Sequence, residues 1–205
     1  MIDLRTFTYI DILQPKLAAF LQTISTGFQP LENQALLYVE VAPGISINQV
    51  TDICLKQTDV KPGMQIVERA FGILEVHHED QGQVRAAGDA ILDFYNITEN
   101  DRLKPTIKTN QIIRGVEGYQ AMLVNRMRHG DLITEGETLY VMECHPAGYA
   151  MVAANEAEKA SPINLLEMRA VGAFGRLYLS GNEEEIIEAQ RAVVDCIENL
   201  SGRVK

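Results

Sequence analysis

The chain has no tryptophan and only three cysteines, and no apolar run approaches the length that crosses a bilayer. Cys54, Cys144 and Cys196 are odd in number, widely spaced and set among apolar neighbours. That pattern describes reduced, buried thiols and argues against a disulfide or zinc framework. Basic residues are outnumbered 18 to 28, and the net charge of −10 repels phosphate backbones and anionic bilayers. Neither nucleic acid nor a membrane is expected as a partner. Met1-Ile2-Asp3-Leu4-Arg5 lacks the basic-then-apolar pattern of an export signal, so a cytoplasmic location is expected.

Catalytic signatures are equally scarce. There is no Gly-rich phosphate loop after a strand, no Gly-x-Ser-x-Gly elbow, no Cys-x-x-Cys and no histidine pair at helical metal spacing. No metal, cofactor or enzymatic activity is therefore expected. His77-His78 stands at a strand end, where neighbouring side chains point to opposite faces and cannot easily share one ion. Both read as solvated residues beside Glu79 and Asp80, and His129 and His145 are similarly plain.

What the chain does have is an ordinary globular composition, 46% hydrophobic and 22% charged, over 205 residues, enough for two modest domains. It also repeats itself. Leu37-Tyr38-Val39 recurs as Leu139-Tyr140-Val141, followed by the turn pairs Pro43-Gly44 and Pro146-Ala147. Lys56 and Lys159 close matching helices, and Arg69-Ala70-Phe71-Gly72 resembles Arg169-Ala170-Val171-Gly172. Downstream helices carry apolar stripes at Val84, Ala87, Ile91 and Phe94, and at Ile186, Ala189, Val193 and Ile197. Polar Asn100–Pro105 divides the copies, giving domains 1–104 and 105–205. Each half reads as strand, helix, strand, helix, strand, helix. The fold class is α+β, with helices over a mainly antiparallel sheet.

Two features invite function. Glu68-Arg69 puts opposite charges into an apolar run, Ile66-Val67 before and Ala70-Phe71 after. An exposed turn explains them, and so does a ring of charges around an oligomer axis. Lys56 and Lys159 suit the negative end of a helix dipole, or equivalent lateral edges of an assembly.

The segments Asn155–Ala160, Arg169–Leu179, Gln65–His77 and Asp101–Pro105 resemble bacterial-microcompartment shell domains. Across nearly the whole chain, two copies resemble the circularly permuted tandem-domain shell proteins of carboxysomes, most closely the trimeric β-carboxysome member. The resemblance implies a homotrimer acting as a pseudohexameric tile among shell hexamers and pentamers, with two trimers able to stack. It implies a central pore gated by Glu68 and Arg69, with Met168 and Arg169 nearby and Lys56 and Lys159 at the lateral edges. Ribulose bisphosphate and phosphoglycerate would be the passing metabolites, and the location would be a carboxysome shell. By the same comparison Met168 takes the place of Glu68 in the second copy, and Lys61-Pro62-Gly63-Met64 lengthens the route to the gate strand relative to Pro162-Ile163-Asn164. A trimeric small-molecule-binding regulator is the competing reading, and an interface enzyme using His77 and Glu68 is a third.

Overall fold

The computed structural model describes residues 2–204. Its first sheet contains β1 (Asp3–Ile10), β2 (Ala35–Ala42), β3 (Lys61–Glu68) and β4 (Phe71–His78) in the order β1-β2-β4-β3. The second contains β5 (Thr106–Ile113), β6 (Thr138–His145), β7 (Asn164–Arg169) and β8 (Gly175–Gly181) in the order β5-β6-β8-β7. Every neighbouring pair is antiparallel. Six helices accompany them: α1 (Pro15–Ile24), α2 (Ile47–Gln57), α3 (Gln81–Tyr95), α4 (Gly118–Met127), α5 (Tyr149–Ala160) and α6 (Glu183–Asn199). The α+β class and tandem architecture hold.

The periodicities explain the packing. Leu37, Val39, Leu74 and Val76 alternate inward from β2 and β4 and meet Val50 and Cys54 of α2 and Val84, Ala87 and Ile91 of α3. Each fully buried leucine, valine or isoleucine among them contributes about 1.5–3 kcal/mol of transfer free energy. Phe94 leaves the predicted stripe: it is 53% exposed and stacks edge-on against Tyr95. The α6 stripe is buried throughout. At the start of α6, Asn182 and Glu185 form a reciprocal capping box that satisfies two otherwise free backbone amides. The three cysteines form no disulfide; Cys54 and Cys144 are buried and Cys196 is partly so.

Each half holds four strands where the sequence predicts three. The run Gln65–His77 is broken by a tight turn at Arg69-Ala70, and Glu68 ends opposite Phe71 in the β3–β4 hairpin. A residue-by-residue comparison of ladders shows that the repeat runs at an offset of 103. Thr6 opposes Glu40 as Thr109 opposes Glu143, and Gln65 opposes Leu74 as Met168 opposes Leu177. Even the bulges coincide, at Arg5 and Lys108 and at Gly63 and Leu166.

This register overturns three expectations. Leu37 is the counterpart of Tyr140, so the Leu-Tyr-Val match is one residue out. Ala70-Phe71-Gly72 matches Ala173-Phe174-Gly175, so Met168 is the counterpart of Gln65, not of Glu68. Lys61–Met64 is no insertion, because it matches Asn164–Glu167 one for one.

Two compact units emerge. The first comprises residues 1–15, 25–104 and 201–205, and the second residues 16–24 and 105–200. Relative to a cut after Lys104, two short segments change sides. The C-terminal segment joins the first unit through a bridge between Leu103 and Arg203. Buried Arg102 donates from Nη1 to the Phe7 carbonyl at 2.7 Å and from Nε to the Ser201 carbonyl at 2.8 Å.

Candidate functional site

The Glu68-Arg69 pair stands at the tip of the β3–β4 hairpin. A two-residue reversal between strands favours backbone with positive φ, which costs a side-chain-bearing residue about 1–2 kcal/mol. Arg69 adopts φ 44° nonetheless. Its counterpart at the offset of 103 is Gly172, with φ 103°, where no such cost arises. The first unit thus places an arginine where the second has the conformationally cheap residue. Arg69 is exposed and Glu68 half-buried, and neither enters an ion pair among the described residues.

Behind the tip lies a buried charged group. Arg5 Nε donates to Glu40 Oε1 at 2.8 Å, and Thr6 Oγ1 donates to Glu40 Oε2 at 3.0 Å. The Arg5 guanidinium also lies 3.6 Å from the centroid of the Phe71 ring, and Phe71 is the residue opposite Glu68. A chain of contacts therefore runs from Glu40 through Arg5 and Phe71 to the hairpin tip. A bulge on β1 at Arg5 is what re-aims this side chain.

His77 departs from its expected solvated state. It is 2% exposed, and its Nδ1 lies 2.9 Å from Glu75 Oε1. Burial pushes the Glu75 carboxyl above the usual range, and His77 offsets part of that rise. His129 is also engaged, at 2.8 Å from Glu167 and edge-on to Phe20.

Met168 is 2% exposed, its side chain buried within the second unit. Arg169 is exposed and lies cross-strand from Arg176 in a cleft shared with Met127, Glu167 and Tyr178. Each arginine has a nearby carboxylate, Arg169 with Glu167 at 3.8 Å and Arg176 with Glu143 at 3.5 Å. Lys56 and Lys159 both fall in last helical turns, 103 residues apart, and pair within their own helices with Asp52 and Glu156. No cluster of three or more metal-ligating side chains occurs among the described residues.

The doubled, permuted sheet-and-helix architecture is that of microcompartment shell proteins. Two solved structures superpose across nearly the entire chain. The fused permuted hexameric shell protein of the RMM microcompartment is 42% identical with a TM-score of 0.95, covering 98% of this chain and 99% of its own. The double ringed trimeric shell protein of the same compartment is 34% identical with a TM-score of 0.96, covering all of both chains. The family model of the CsoS1D N-terminal domain matches residues 4–101. The chain belongs to the carboxysome shell protein family. It is 50% identical to carboxysome shell protein CcmP of Synechococcus elongatus over 98% of this chain and 95% of that one. It is 47% identical to carboxysome shell protein CsoS1D of Hydrogenovibrio crunogenus over 99% and 100% respectively.

Proposed function

We propose that three copies form a pseudohexameric, non-enzymatic tile of a carboxysome shell, with a central pore gated by Glu68 and Arg69. Three chains of two repeats supply six similar positions, the number needed to sit among true hexamers. Full-length similarity to carboxysome shell proteins supports the setting. The observation that carries the gate is Arg69 at φ 44°, where the repeat carries Gly172. Backbone strain held at an exposed, unpaired charged tip marks a place where the side chain itself is needed. Around a threefold axis, three Glu68 carboxylates and three Arg69 guanidinia pair across the opening when closed and turn aside when open. Ribulose bisphosphate and phosphoglycerate are the metabolites this gate would pass, through a shell shared with hexamers and pentamers. Trimers stacked in pairs would enclose a chamber between two such pores. Lys56 and Lys159 then lie at equivalent lateral edges.

Light scattering on the purified protein tests the assembly: a mass of three or six chains supports it and a clean monomer overturns it. The Glu68→Ala/Arg69→Ala double variant tests the gate. It is expected to keep the native mass while losing closed pores in single-particle images; closed pores in the variant would overturn the gate assignment.

A further inference from the structure

The repeat has one asymmetry that points outside the chain. Residues Lys16–Ile24 of α1 belong to the second compact unit. There Lys16 Nζ bonds Asp131 Oδ2 and Asn164 Oδ1, both at 2.9 Å. The first backbone amides of the helix, of Lys16 and Leu17, donate to the two carboxylate oxygens of Glu158 at 2.7 and 2.9 Å. Phe20 is 2% exposed, with its ring against His129.

The counterpart of α1, again 103 residues on, is α4. Ala121 and Val124 of α4 pack into the second unit's core. Its other face is bare: Tyr119 is 77% exposed, Leu123 57% and Met127 56%. Tyr119 is the counterpart of Lys16, and Leu123 that of buried Phe20. In an isolated chain this is a large apolar area left in water.

Subtracting the same offset from the partners of Lys16 gives the surface that should receive Tyr119. Asp131 becomes Phe28, Asn164 becomes Lys61 and Glu158 becomes Leu55. Phe28 is 60% exposed and Leu55 42%, and Lys61 Nζ lies 5.9 Å from the Phe28 ring centroid. The two surfaces have changed together: lysine meets carboxylate and amide in one repeat, while tyrosine faces phenylalanine, leucine and a lysine stem in the other. The helix cap has changed with them. Leu55 cannot accept the amides that Glu158 accepts, and α4 is capped instead by its own Glu117, which accepts from Tyr119 N at 2.7 Å.

We infer that the exposed face of α4, centred on Tyr119 and Leu123, docks on the Phe28–Leu55–Lys61 surface of a second copy of this chain, as α1 docks within the second unit. The contact is head-to-tail, with different surfaces on the two partners, and such contacts generate a ring when the rotation closes. The inference rests on the trimer reading above and assigns its interface. Tyrosine at the centre suits the role, because a rigid, amphipathic ring gives much contact area for little lost freedom.

The test uses the full chain and its native mass by light scattering, with circular dichroism to verify the fold. Leu123→Glu and Tyr119→Lys are both expected to reduce the mass from that of the assembly to that of one folded chain. Adding Phe28→Asp and Lys61→Asn to Tyr119→Lys rebuilds the Lys16 site, and the assembly should return. If the single variants keep the full mass, the α4 interface is overturned while the trimer stands. If the triple variant stays monomeric, the pairing of Tyr119 with Phe28 and Lys61 is overturned. A monomeric unmodified protein overturns the trimer reading and the interface with it.

Discussion

The two sheets share a register and differ in what they do with charge. In the first, Arg5 and Glu40 are almost wholly buried and lie behind the hairpin that carries Glu68 and Arg69. In the second, the counterpart of Arg5 is exposed Lys108, and that of Glu40 is Glu143, which pairs with Arg176 at 3.5 Å on an open face. The hairpins follow suit. The first ladder continues to Glu68 and Phe71, whereas the second ends at Arg169 and Arg176, leaving a looser turn. A buried ion pair is rarely a stabilising device in itself, since desolvation takes back much of the attraction. Its presence behind only one of two matching hairpins is what separates the first sheet from the second.

The comparison breaks hardest at Glu40. Glu40→Ala leaves Arg5 buried without its carboxylate and should cost about 3–5 kcal/mol by urea unfolding. Glu143→Ala removes one member of a solvated pair and should cost no more than about 1 kcal/mol. Equal losses would mean that the two positions do the same job. A smaller effect separates the turns. Arg69→Gly should stabilise the first unit by about 1 kcal/mol, because glycine accepts the positive φ that arginine does not, and Gly172→Arg should destabilise the second by a similar amount. Stabilisation with loss of closed pores would show directly that Arg69 is kept for its side chain at the expense of backbone strain.

Much of this was legible in the sequence, and the errors have identifiable physical sources. The helix faces follow from period alone, and Val84, Ala87 and Ile91 lie where period puts them. Phe94 does not, because it lies in the last turn of α3, where its ring meets Tyr95 and not the sheet core. The repeat was visible, yet Arg-Ala-x-Gly at a spacing of 100 competed with Ala-Phe-Gly at 103. Only the ladder decides between them, since a strand slipped by an odd number of residues reverses every side chain. The extra strand of the first half was hidden because Arg69-Ala70 carries none of the glycine or asparagine that usually announces a hairpin turn, and that of the second because Gly172 was matched to Gly72 of a strand instead of to the turn residue Arg69. The placement of α1 in the second unit is outside the reach of period, which says which face is apolar and not what covers it.

The finest difference between the repeats lies at Glu75, whose counterpart by ladder position is Tyr178. Glu75 is fully buried with His77 beside it, and burial raises its pKa above that of the unfolded chain despite the histidine. Below the ordinary glutamate pKa, both the folded and the unfolded chain hold this proton. As pH rises past that value the unfolded chain releases it first, so the folded state binds more protons and stability falls until the folded pKa is passed. Glu75→Gln keeps the shape and removes the titration. Urea unfolding at a series of pH values should show the variant gaining on the unmodified protein as pH rises above the ordinary glutamate range, until the folded pKa is passed. A difference that does not change with pH would mean that Glu75 titrates alike in the folded and unfolded chain, and a variant that loses ground as pH rises would mean that the folded chain holds Glu75 ionised.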